Sequence, residues 1–274
     1  MAHNFSNEAG EGRVHFREGD LHMSRLKQPV RPPKELLEPF WGFGTAAISS
    51  ALREKCGILR AFLVGPVAFT PGLKAVGAAV TLSFLPKRED VSEGHAEEEG
   101  EATSALWAAV MAVQDGDVLV VDARGNAQTG CLGDMLMTSI QARGAKGLVV
   151  DGCVRDTPHA KKLGLPLFLK GATPHNASHF EMYPWAYNEP IGCGGVLVLP
   201  GDIIVADDDG VVVVPPKTAP EVITYCRSRE TREIFERMKL RETGDIRKYY
   251  PFNREGRAEY EAWLKEKGLT DPQL

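Results

Sequence analysis

Short apolar runs separated by Gly-, Pro- and Asp-containing turns dominate the middle of this chain, and longer charged stretches flank them. The runs Ala75 to Phe84, Val118 to Val121, Gly147 to Val150 and Leu165 to Leu169 read as strands buried on both faces. Helical spacing lies between them. Ala102 to Val113 is apolar over a helical length, and Leu136 and Ile140, four apart, make one stripe of a short helix that Gly144 stops. Thr157-Pro158 is a further helix start, since proline suits the first helical position, and Gly164 ends that helix. Strands alternating with helices predict parallel βαβ crossovers and an α/β class.

Three more short strands follow, Gly195 to Leu199, Asp202 to Ala206 and Val211 to Val214, with turns at Pro200-Gly201 and Asp208-Asp209-Gly210. Upstream, Glu35 to Phe40 is a short helix, and Thr45 caps a run through Ile48, Ala51 and Leu52 that stops near Cys56-Gly57. Val67 to Phe69 follows Pro66 and turns at Pro71-Gly72. Lys87 to Glu101 is an acidic, solvated loop, because its contiguous carboxylates cannot all face one ion. The organisation is thus a polar N-terminal tail (residues 1–33, closed by Pro32-Pro33), a core over 34–215 and a C-terminal helical extension over 216–274. That extension has helix through Leu240 and again over Glu255 to Lys267.

Composition narrows the function classes. The 274 residues carry a net charge of −5 and no concentrated Lys/Arg block, against a phosphate-tracking nucleic-acid binder. No apolar run reaches the ~20 residues needed to span a bilayer, and the acidic N-terminus is unlike a signal or transit peptide. Five scattered cysteines without a C-x-x-C pair suit neither a disulfide framework nor structural zinc, so a reducing cytoplasm is the expected location.

The candidate chemistry gathers in two segments. Gly133-Asp134-Met135-Leu136 opens a helix, and Arg155-Asp156 follows a strand, so both fall on the carboxyl edge of a parallel sheet. First-turn amides of Met135 and Leu136 suit a carboxylate, Asp134 and Asp156 are hard ligands for Mg²⁺ or Mn²⁺, and Arg155 can stabilise an enolate oxygen. Together they suit chemistry on a 2-oxo acid. Spacing alone favours a plainer reading, with Asp134 and Asp156 as helix caps and Arg155 paired with Asp151 on the surface. Cys153 reads as a small apolar residue rather than a nucleophile. His175 and His179 read as pocket or loop residues, and Gly192-Cys193-Gly194-Gly195 lacks the helix that a nucleotide-binding glycine loop requires.

Taken together, Val76-Gly77-Ala78-Ala79-Val80-Thr81, Gly116-Asp117 through Asp122, Gly133 to Leu136, Gly147 to Asp156, Pro200-Gly201-Asp202 and Ala206 to Pro215 resemble the RraA-like family over residues 45 to 215. That family includes 4-hydroxy-4-methyl-2-oxoglutarate aldolases and the regulator of ribonuclease activity A. The resemblance implies a three-layer β/β/α swivelling core, homotrimers or homohexamers, and active sites between subunits. It implies a lyase that cleaves a 4-hydroxy-2-oxo dicarboxylate to pyruvate and a second carbonyl acid, with oxaloacetate decarboxylation by the same enolate route. A non-catalytic regulator of a ribonuclease or helicase is the alternative. The implied metal ligand is Asp156, with Asp134 holding coordinated water. Arg155 contacts substrate oxygen, the Gly133–Leu136 segment takes the pyruvyl carboxylate, and Glu230 or Glu233 is donated by a neighbouring subunit. Two departures from the pattern are Asp134, where glutamate is frequent, and Ser50, where aspartate is common.

Overall fold

The computed structural model describes residues 26–88, 104–176 and 181–272. The expected acidic loop falls mostly, and His179 wholly, outside the described residues.

A twisted, mostly parallel sheet organises the core. Its strands are β1 (Val67–Ala68), β2 (Ala75–Pro86), β3 (Asp117–Gly130), β4 (Gly147–Val154), β5 (Leu167–Ala172), β6 (Met182–Tyr187), β9 (Ile203–Asp207) and β10 (Gly210–Val214). They lie in the order β1-β5-β4-β3-β2-β9-β10. The pairs β2–β3, β3–β4 and β4–β5 are parallel, with βα crossovers between them. Strand β2 is long enough to take two antiparallel partners in succession, β9 beside Ala75 to Ala78 and β6 beside Leu82 to Pro86. The segment before β1 joins β10, with Leu63 N donating to Val211 O (2.9 Å) and Val213 N to Ala61 O (2.7 Å), so the sheet nearly closes on itself.

Alternation along the strands divides the core into layers. Leu119, Val121, Leu148, Val150, Leu167 and Leu169 face α3 (Ala105–Ala112) and α4 (Asp134–Ala142), meeting Ala108, Ala112, Met137 and Ile140. The alternate residues Val118, Val120, Val149 and Phe168 face the hairpin of β7 (Ile191–Cys193) and β8 (Val196–Val198). This is the β/β/α arrangement. Beyond β9 and β10, α1 (Lys34–Leu37), α2 (Thr45–Glu54) and α6 (Ala219–Thr243) cover a third cluster around Ile48, Leu52, Val222 and Cys226. The C-terminal helices α7 (Ile246–Tyr249) and α8 (Arg254–Lys267) pack on α6 through Phe235, Tyr249, Tyr260 and Leu264, a small aromatic cluster of their own.

Several expectations change in detail. Thr45 is not the cap of α2; Gly44 is, and the Thr45 amide and hydroxyl both donate to Asp207. The eleven residues Asp122 to Leu132, expected as a loop, largely continue β3 through Gly130 with two register shifts. Helix α6 is longer than expected and ends at Gly244 in the left-handed region. The last residues of the expected tail are docked: Leu26 is buried, and Arg31 grips Asp117 through two bonds of 2.8 and 2.7 Å.

Candidate active site

The carboxyl edges of β3 and β4 bring the two predicted segments together on the side that carries α4. After Gly130 the chain crosses to α4 with Cys131 N donating to Cys153 O (2.9 Å), and Arg155 N donates back to Leu132 O (3.0 Å). Gly133 then passes so close to Arg155-Asp156 that a β-carbon there would stand 2.6 Å from Asp156 Oδ2 and 3.1 Å from Arg155 Nε. Gly130 is equally confined, because a β-carbon would lie 2.9 Å from His175 O and 3.1 Å from Arg155 Cβ. Both glycines are glycine for close approach rather than for an unusual φ.

Asp134 is the first residue of α4, and the cap position belongs to Gly133 in extended conformation. The first backbone amide satisfied along the helix is that of Met137, which donates to Gly133 O (3.1 Å). The Met135 and Leu136 amides therefore remain first-turn donors without a helical acceptor. Met135 is exposed and Leu136 leans onto the helix-side core. Asp134 is half-buried, and its side chain has no hydrogen-bond or ionic partner among the described residues.

Asp156 occupies the left-handed region at φ 58°, ψ 32°, immediately before α5 (Thr157–Ala160). Its carbonyl takes the His159 and Ala160 amides, yet its carboxylate caps nothing. A left-handed non-glycine residue carries backbone strain, which is found where a side chain has to be aimed. The strain turns the carboxylate toward Gly133, and Arg155 Nε stands 3.4 Å from Asp156 Oδ2 with both side chains about 40% exposed. Arg155 does not pair with Asp151, whose partner is Lys170 at 2.9 Å.

The donor set is a sparse one for a metal ion. No group of three or more His, Cys, Asp or Glu is placed to hold an ion among the described residues. Two accessible carboxylates still fit Mg²⁺ or Mn²⁺, hard ions that keep several waters, and they fit no thiolate-bound metal. Burial pushes the Cys153 thiol above its ordinary value, with Lys170 opposing, and Cys131 goes up to about 12. Neither is a thiolate at neutral pH.

Glu230 and Glu233 lie on α6, which covers the β9–β10 end of the sheet rather than the β3–β4 edge of the same chain. They are not equivalent. Arg229 Nε and Arg237 Nη2 hold Glu233 at 2.6 and 2.5 Å, and these bonds keep it below the usual carboxylate value although burial pushes the other way. Glu230 has no ion pair or hydrogen bond among the described residues, and burial followed by the Glu233 charge raises it.

Lys170 is a charged residue that sequence reasoning passed over, and Asp151 entered it only as a possible partner of Arg155. A lone lysine at the end of an apolar strand reads as an edge residue, and only the register across β3, β4 and β5 reveals the pairing.

Comparison with known proteins agrees with this layout. Residues 45–213 match the family model RraA-like: Aldolase/RraA. RraAS2 of Streptomyces coelicolor, described as an unusual member of the RNase ES inhibitor RraA protein family, is 47% identical with a TM-score of 0.70, covering 76% of this chain and 100% of that one. An uncharacterized Pseudomonas syringae protein is 26% identical with the same TM-score, covering 81% and 96%. A Halalkalibacterium halodurans protein named "Putative 4-hydroxy-4-methyl-2-oxoglutarate aldolase" is 36% identical over 126 residues, which are 46% of this chain and 59% of that protein. The chain thus spans somewhat over half the length of that relative. With the family model matching well over half of its residues and the Gly133 and Arg155-Asp156 segments interlocked at one sheet edge, the chain belongs to the RraA-like family.

Proposed function

We propose that this protein is a divalent-metal-dependent carbon–carbon lyase. It would cleave a 4-hydroxy-2-oxo dicarboxylate of the 4-hydroxy-4-methyl-2-oxoglutarate type to pyruvate and a second carbonyl acid. The observation that carries the reading is the convergence, across the Gly133 approach, of free first-turn amides, an arginine and two carboxylates that cap nothing. Apart from the exposed Arg155–Asp156 pair at 3.4 Å, these polar groups have no partner among the described residues and are available to a ligand.

Asp156 and Asp134 would hold Mg²⁺ or Mn²⁺, which when bound supplies an electron sink for a 2-oxo acid. The Met135 and Leu136 amides take the C1 carboxylate at the positive end of α4. Arg155 faces the C2 oxygen and offsets the negative charge that grows there as the C3–C4 bond breaks. Asp134 takes the C4 hydroxyl proton, directly or through water, and the C4 carbon leaves as a carbonyl. The enolate is then protonated at C3 to give pyruvate. Oxaloacetate would reach the same enolate by losing CO₂. In a trimer or hexamer with sites between subunits, Glu230 is the better candidate for the carboxylate donated across the interface, because Glu233 is already held by two arginines.

The test is pyruvate release from 4-hydroxy-4-methyl-2-oxoglutarate and from oxaloacetate with Mg²⁺ or Mn²⁺, with EDTA, and in Asp156→Ala. Metal-dependent pyruvate that disappears in EDTA and in the variant supports the lyase. Folded, metal-supplied protein that turns over neither acid sinks it. That outcome favours the second reading, a regulator of a ribonuclease, which the 47% identity to a member of an RNase inhibitor family recommends.

A further inference from the structure

The opposite face of the sheet carries a second charged arrangement. Asp122 and Asp151 are register partners on β3 and β4, and Lys170 follows Leu169, the β5 partner of Val150. Their apolar neighbours Val120, Val149 and Phe168 face the β7–β8 hairpin, so by alternation all three point to that side. Asp151 is almost completely buried; its Oδ2 accepts the Gly194 amide at the hairpin turn (2.9 Å), and its Oδ1 lies 2.9 Å from Lys170 Nζ. Asp122 is bonded to the Arg124 amide (2.9 Å).

Lys170 is threaded between two glycines. A β-carbon on Gly65 would fall 2.1 Å from Lys170 Cε, and one on Gly125 would fall 2.7 Å from Nζ. Both glycines also have left-handed φ values, +118° and +68°. The outer part of the lysine side chain therefore runs close past two glycine backbones, where any β-carbon would crowd it. Among the described residues its ammonium pairs with Asp151 alone, which leaves most of its three N–H donors unspent.

The ammonium opens into a cleft of about 530 Å³ whose walls include Leu59, Arg60, Phe62 and Val64. Leu59, Phe62 and Val64 are 73%, 53% and 66% exposed, and Arg60 has no partner among the described residues. Among the residues that line the cleft, Asp151 neutralises Lys170 from below and Arg60 leaves one positive charge, beside free donors and an apolar wall; Asp122 lies outside that lining. None of Gly133 to Leu136, Arg155 or Asp156 lines it.

We propose that this cleft is a second ligand site, selective for a small organic carboxylate with an apolar or aromatic body. The carboxylate would lie between Arg60 and Lys170, and the body against Phe62, Leu59 and Val64. Such a ligand satisfies both cations and covers apolar surface, which neither an amine nor a neutral alcohol of the same shape can do. The inference stands apart from the lyase reading, since it uses none of those residues.

The test is calorimetric titration of the full chain with phenylacetate, 2-phenylethylammonium and 2-phenylethanol. Phenylacetate is expected to bind saturably and at least about tenfold more tightly than either analogue. Arg60→Ala, a change at an exposed residue, should weaken it about tenfold, and folded Lys170→Met should abolish it, while Arg155→Ala leaves it unchanged. Lack of saturable phenylacetate binding overturns the proposal. So do equal binding of the ammonium or alcohol, undiminished binding in Arg60→Ala or in folded Lys170→Met, and loss of binding in Arg155→Ala. Should Lys170→Met fail to fold, Arg60→Ala carries the decision.

Discussion

The two faces of one sheet edge treat charge in opposite ways. On the α4 side, Asp134 is unpaired among the described residues and Arg155 and Asp156 hold each other loosely, while their backbone is constrained by a glycine contact and a left-handed turn. On the hairpin side, Asp151 is buried and paired with the accessible Lys170, and its carboxylate helps pin the hairpin. The fold thus invests its backbone geometry in aiming one set of side chains and its side-chain pairing in securing the other. Removing a member of the first set should cost activity with little stability. Removing a member of the second should cost stability.

The sharpest way to break that contrast is Asp156→Ala. Pyruvate formation should fall by about 10³-fold or more, the scale for loss of a group acting in the transition state, with the urea midpoint nearly unchanged. A large loss of stability instead would erase the distinction between the faces. Next comes Asp151→Ala, which leaves Lys170 sleeved by glycines without a counter-charge. Urea unfolding should show a loss of about 1–2 kcal/mol, chiefly from the Gly194 amide left without its acceptor. Arg155→Ala, which breaks the exposed pair, should cost under about 1 kcal/mol in the same measurement.

Gly133→Ala sharpens the comparison from the backbone side. Its β-carbon would meet the Asp156 carboxylate, so the turnover rate should drop by about 10²-fold, as expected for a displacement of roughly an ångström. The smallest effect belongs to Asp122, whose carboxyl is raised by burial first and by the Asp151 charge. A raised acid holds its proton more tightly in the folded chain, so its ionisation costs stability. That cost is absent below the ordinary aspartate value and complete above the raised one. Asp122→Asn keeps an oxygen for the Arg124 amide and removes the cost. Its stability advantage over the parent should therefore grow as pH rises through that window, measured by urea unfolding at several pH values.

Much of the sheet was legible because its parallel strands are buried on both faces and so form uninterrupted apolar runs: Val118 to Val121 and Gly147 to Val150 need no knowledge of their partners. The continuation of β3 was not, because Asp122 to Gly130 is polar, bends through left-handed Arg124 and Gly125, and is held by Asn126 side-chain bonds to Gln128 and Thr129. Strand β6 escaped notice for a related reason, since Pro184 argues against a ladder position that an edge strand can tolerate. At the candidate site the acidic and basic residues could be named from their places at element ends, and the family resemblance supplied roles. What no spacing conveys is the interlock through Gly133 and Gly130, which depends on a missing β-carbon between segments more than twenty residues apart. The hairpin-side pairing depends likewise on register.

Near-closure of the sheet has a consequence for assembly. One stretch, residues 61–68, lies against β10 and then against β5, so the two outermost strands of the main order are occupied by the chain itself. The outer edge of β6 is interrupted by Pro184, which offers no amide to a newcomer. Copies of this molecule are therefore poorly equipped to extend one another's sheet. The proposed assembly between subunits would therefore rest on side-chain relief, a surface that selection can reshape one residue at a time without disturbing the ladder beneath.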